Sequence, residues 1–174
     1  MSPIQFLVIE HKLIERAGVQ MLNKSKDWRG DKSCLQDLSQ FIDFLCSYAD
    51  LGHHGKEERI LFAECELKNL SVDLKNLMEE LKLEHVGFRK MQEKMCYFYQ
   101  QFKQGDFADS YELDSLIQDY HSLLKLHEGK EESVFFPKSI KLFSESEQKI
   151  ILERFSDFDQ AILHEKYRQL VSDL

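Results

Sequence analysis

The chain has 174 residues and a formal net charge of −8, with two prolines and seven glycines. That length supports one domain with a sizeable core. The acidic balance argues against nucleic acid or an anionic membrane as the main partner.

The scarcity of turn residues beside abundant Leu, Glu, Lys and Gln predicts an all-α fold. A first helix is expected from Pro3 to Asn23, with Ser2 as N-cap and a stripe of Ile4, Leu7, Val8, Ile14, Gly18, Met21 and Leu22. His11 falls in that stripe where an apolar residue belongs. Residues 24–32 read as a loop.

A second helix spans Ser33 to Glu64. Its stripe steps through Leu38, Ile42, Leu45 and Ala49 and, continued by fours, lands on His53, Glu57 and Leu61. His54 and Glu58 are then turned about 100° away, towards a helix seam or an outer position. Gly52 and Gly55 weaken this helix and invite a kink. Cys65 to Leu70 form the turn.

A third helix, Ser71 to Lys103, carries Leu74, Met78, Leu81, His85, Phe88, Met95, Phe98 and Phe102 on one face and stops at Gly105. A fourth begins near Ser110 and aligns Leu113, Ile117, Tyr120, Leu124, His127 and Glu131, until Pro137 ends or kinks it. Ser144 and Glu147 form a capping-box pattern that opens a fifth helix, about 145–172, expected to pack across the outside or one end. The organisation is therefore a single domain of residues 1–174. An antiparallel up-down four-helix bundle of two repeated αα-hairpins covers about 3–141, followed by the additional helix.

The hairpins repeat in sequence. His53-His54-Gly55-Lys56-Glu57-Glu58 returns as His127-Glu128-Gly129-Lys130-Glu131-Glu132, and Glu10-His11 returns as Glu84-His85, each 74 residues later. The repeat brings His11, His53, Glu57, His85, His127 and Glu131 to one level of the core. Two buried carboxylates among four imidazoles destabilise a bundle unless cations bind them. Imidazole and carboxylate without thiolate suit iron, manganese or zinc. Tyr120 reads as a core aromatic within reach of a bound oxygen species, and Phe62, Phe88 and Phe136 as a dry wall.

These six positions and their spacing resemble the hemerythrin family, specifically its HHE cation-binding domains, over roughly residues 3–137. The resemblance implies two non-haem iron ions bridged by carboxylates, with O2, NO or peroxide as ligand. The oxygen carriers of that family use five histidines and carry His-x-x-x-His on the third helix; here the second of those positions is Arg89. Either solvent or His164 on the fifth helix then completes the set. The four-His, two-Glu pattern is also similar to the iron-binding domain of the repair-of-iron-centres proteins, which makes a redox enzyme or iron-centre repair the alternative. The stripe shows no obvious general acid apart from Tyr120, which leans towards binding. With no flavin or Fe–S motif, turnover would need an external redox partner.

The four cysteines, Cys34, Cys46, Cys65 and Cys96, are scattered without a C-x-x-C pair and read as reduced thiols. No apolar run reaches membrane-spanning length, and Met1 to Gln5 lack signal-peptide features. A cytoplasmic location is expected.

Overall fold

A computed structural model describes residues 1–26 and 34–172. Five helical rods account for nearly all of them: α1 (Pro3–Ser25), α2 (34–66), α3 (Val72–Gln104), α4 (110–142) and α5 (Glu145–Ser172). No strand occurs among the described residues. The expected start of α2 at Ser33, and residues 27–32 of the predicted loop, lie outside the described residues.

The ends follow local chemistry. Ser2 caps α1, its hydroxyl accepting from the Gln5 amide while the Gln5 side chain returns to the Ser2 amide. Ser71 caps α3 through the Leu74 amide. Gly105 ends α3 at φ 89°, the left-handed conformation that glycine adopts without a Cβ penalty. The Ser144 and Glu147 side chains each reach the other's backbone amide to open α5.

Two helices depart from α geometry where the repeated motif lies. α2 is π-helical over Leu45–His54 and again over Glu57–Phe62, and α4 over Glu131–Phe135. Pro137 follows that last π turn in the segment Phe136–Ser139, and the rod ends five residues on at Leu142. The glycines of α2 keep right-handed backbones, as the only positive φ among the described residues is at Gly105. Gly55 instead makes room: a Cβ there would meet the Phe158 ring of α5 at 3.0 Å. Gly18 does the same for His121, whose Nδ1 would lie 2.6 Å from an added Cβ.

The bundle core is divided in two. One apolar cluster holds Ile14, Leu38, Leu45, Ala49, Phe88, Met95, Phe98, Ile117 and Tyr120. The other holds Leu7, Leu61, Phe62, Met78, Leu81, Phe135, Phe136 and, from α5, Ile151 and Phe155. Between them lies a layer of buried His and Glu. α5 packs against α1 and the π-helical part of α2, outside the first hairpin. Its widened apolar face does not close on the bundle: Leu163, Tyr167 and Leu170 are exposed.

Candidate metal centre

Five imidazoles and two carboxylates occupy the dividing layer: His11, His53, His54, His85, His127, Glu57 and Glu131, each at most 2% exposed. Their donor atoms form two groups of four. His54, Glu57, His85 and His127 make one; His11, His53, Glu57 and Glu131 make the other, with Glu57 in both. The six residues expected from the repeat thus come together.

The seventh, His54, corrects the sequence reading. A straight α-helix turns it about 100° from His53. The π-helical turn, bonded i→i+5, accommodates an extra residue per turn and lets consecutive residues share the inward face. His54 is 0% exposed and stacks on His85 with ring centroids 4.0 Å apart. The usable signal in the sequence was the repeat itself, because the residue after the motif histidine is polar in both copies. His164 does not supply the fifth imidazole: it is exposed on α5 and belongs to neither group. Replacing His54 by Ala is expected to weaken binding at the three-imidazole group, while His164→Ala leaves metal content unchanged. Elemental analysis of the two variants decides between them.

Each imidazole is oriented from behind by a carboxylate at Nδ1. Glu132 lies 2.8 Å from His11, Glu10 3.0 Å from His53, Glu58 2.7 Å from His85 and Glu84 2.8 Å from His127. Asp50 stands 3.4 Å from His54. A carboxylate only accepts, so Nδ1 carries the proton and donates, and the Nε2 lone pair is left facing inward. The His127 contact and Lys130 hold Glu84 below the ordinary carboxylate range, which keeps that acceptor anionic. Glu10 is instead raised, because its burial outweighs the Lys56 ammonium 2.7 Å away. Lys56, only 1% exposed, also meets Asp159 and so ties α5 to the carboxylate behind His53.

Glu10 and Glu84 are therefore outer partners rather than ligands, and Glu58 and Glu132 take the same role. Arg89, standing where an oxygen carrier has histidine, binds Asp50 at 2.8 Å and Glu58 at 2.6 Å. It thereby holds the two carboxylates behind His54 and His85. In this chain α3 contributes one imidazole, His85, and α2 contributes two, His53 and His54.

The inward atoms fit a cation and little else. His11 and His54 Nε2 and all four oxygens of Glu57 and Glu131 are buried without a hydrogen-bond partner. The Nε2 atoms of His85 and His127 lie 3.1 Å apart, two lone pairs aimed at one place. Glu57 stands 3.5 Å from His53 Nε2 through one oxygen and 3.5 Å from His85 Nε2 through the other. Glu131 likewise reaches His11 at 3.2 Å and His127 at 3.4 Å. Each carboxylate spans from one group to the other. Without a cation, burial pushes both carboxyls well above their ordinary range, and the Glu131 charge pushes Glu57 further. Burial likewise drives His53, His54 and His85 well below the usual imidazole value, and lowers His127. A metal reverses both penalties together.

Aromatic rings seal the layer. Phe62 stacks on His85, Phe136 on His11, and Phe88 meets both His54 and His127. Tyr120 packs on Phe88, and its hydroxyl accepts from the Gln92 amide at 3.3 Å.

Fold and donor set together define a helical bundle built to hold cations in its core. The chain belongs to the hemerythrin family: the model of the hemerythrin HHE cation-binding domain matches residues 2–139. No curated protein and no solved structure matches it. No helix among the described residues is long and apolar enough to cross a membrane.

Proposed function

We propose that this chain holds two iron ions, bridged by Glu57 and Glu131, and uses them to bind O2 or a related small molecule such as NO or peroxide. The observation that carries this reading is the pair of donor groups sharing Glu57, with both carboxylates spanning them. His54, His85 and His127 would serve one ion, and His11 and His53 the other. Manganese or zinc satisfies the same donors, but five imidazoles beside two carboxylates suit iron well.

Iron held there supplies electrons that a small oxidant can share or take. The protein's own residues set the conditions. The carboxylates at Nδ1 fix each imidazole's tautomer and raise its basicity. Phe62, Phe88 and Phe136 keep bulk water from the layer, which favours ligands of a few atoms over organic substrates. The ion beside His11 and His53 would have one imidazole fewer than the ion beside His54, His85 and His127. Tyr120 packs on Phe88 as part of that wall, and burial raises its hydroxyl above the usual phenol range, which makes it a poor acid and favours binding over turnover. Redox turnover or iron-centre repair is the alternative use, and it would draw electrons from an external partner. A reducing cytoplasm suits both iron(II) loading and cysteines kept as thiols.

The test is anaerobic loading with iron(II), elemental analysis, and optical spectra before and after O2 and then NO. About two irons per chain and a spectral change reversed by removing O2 support binding. One-way oxidation supports the redox alternative. A chain that takes up no iron overturns both.

A further inference from the structure

The 74-residue repeat extends beyond the ligands. It pairs His11 with His85, His53 with His127 and Glu57 with Glu131, and it also pairs the outer groups Glu10 with Glu84, Glu58 with Glu132 and Lys56 with Lys130. The outer contacts repeat as well: His53 to Glu10 and His127 to Glu84, His85 to Glu58 and His11 to Glu132. One ligand breaks the rule. The counterpart of His54, the third imidazole of its group, is Glu128.

Glu128 is not a surface residue. It is 8% exposed, and its Oε1 is enclosed with no hydrogen-bond partner. A buried carboxylate oxygen without a partner is expensive, and it persists where something outside the chain supplies the partner. Among the positive groups that act on Glu128, the His11 imidazole has the largest effect, and His11 belongs to the two-imidazole group. The repeat therefore assigns Glu128 to the group that lacks a third imidazole, and its burial and unpartnered oxygen fit that assignment. Its oxygens lie outside the group in this structure. Glu128 sits just before the π-helical turn Glu131–Phe135, whereas His54 sits within one.

We infer that Glu128 is a terminal carboxylate ligand of the second metal position, filling for His11 and His53 the place that His54 fills for His85 and His127. This rests on the proposal that the layer holds two ions. The two positions then have equal numbers of protein ligands but different charge. One is rich in imidazole, and the other, richer in carboxylate, favours the harder ion.

The experiment titrates the metal-free full-length chain with iron(II) under anaerobic conditions, and in parallel with cobalt(II), whose visible absorption reports coordination number. The proteins are wild type, Glu128→Gln, Glu128→Ala and Glu128→His, each checked for helicity. The wild type is expected to take two ions. Glu128→Gln and Glu128→Ala should keep the first and bind the second about 10-fold or more weakly, the scale of losing a supporting group at a metal site. Their cobalt(II) spectra should change at the second equivalent only. Glu128→His, which restores the repeat, should recover the second ion. Two ions at wild-type affinity in both Glu128→Gln and Glu128→Ala overturn the assignment of Glu128 and leave the two-ion reading standing. A wild-type chain that takes up no ion overturns the two-ion reading and the assignment with it.

Discussion

Glu57→Gln is expected to empty both metal positions and, in the same protein, to stabilise the metal-free fold. The two effects have one cause. Glu57 belongs to both donor groups, so its loss removes the bridge between them. The metal-free chain instead carries Glu57 as a fully buried carboxyl with neither oxygen hydrogen-bonded. Burial and the charge of Glu131 hold it well above its ordinary value of 4.5, so it stays protonated when the unfolded chain would ionise. That mismatch costs more stability the further the pH rises above 4.5. Glutamine has the shape of the protonated acid and no such cost. Elemental analysis and chemical denaturation of the metal-free variant read out the two halves. Retention of two ions would show that Glu57 does not bridge, and a metal-free variant less stable than wild type would show that the buried carboxyl carries no such cost.

Chelation should lower stability and also introduce a peaked pH dependence. Four imidazoles, His53, His54, His85 and His127, have folded pKa values below the ordinary 6.5. Below that value the unfolded chain takes up protons the folded one cannot, so stability falls as pH drops. Two carboxyls, Glu57 and Glu131, are raised; the folded chain holds protons that the unfolded one has released, so stability falls as pH climbs. The two trends oppose each other, so they cross at an intermediate pH. From these six groups, metal-free stability peaks there and declines towards pH 8.5. Ligation deprotonates the six, so the gap between loaded and metal-free protein widens as pH rises. At a free-ion concentration 100-fold above its dissociation constant, each ion adds about 2.7 kcal/mol. For a chain of this size that is a rise in Tm of roughly 5–11 °C. Melts with and without chelator at pH 5.5, 6.5 and 8.5 check this. A metal-free Tm that is the same at all three pH values, or that rises throughout, would refute it.

The bundle and six members of its polar layer were legible because each carries a redundant signal. His11 and His85 interrupt apolar stripes at matching heights, and His53–Glu57 and His127–Glu131 do so again 74 residues apart. A uniform 100° step hides His54, because its stretch winds as a π-helix. Periodicity cannot report a change of its own period. His164 was a natural substitute, since sequence alone does not say how far along α5 the packing extends. Contact fades after Phe158 and Ile162, and His164 faces outwards. Glu58 and Glu132 lie one step off the stripe, and periodicity says only that they are not the inward carboxylates. Only the tertiary fold sets Glu58 behind the ring of His85 and Glu132 behind that of His11.

Those outer carboxylates also divide the site by when it can form. Glu10 reaches His53 and Glu84 reaches His127 within a single hairpin, α1 with α2 and α3 with α4. Glu58 reaches His85 and Glu132 reaches His11 only between hairpins. During folding, the first two imidazoles acquire their tautomer as soon as each hairpin closes. The other two wait for the hairpins to dock, and docking also brings Glu57 and Glu131 face to face. An ion that arrives early meets one oriented imidazole and one carboxylate per hairpin. It is held weakly there, and the late step that completes its ligands also buries it.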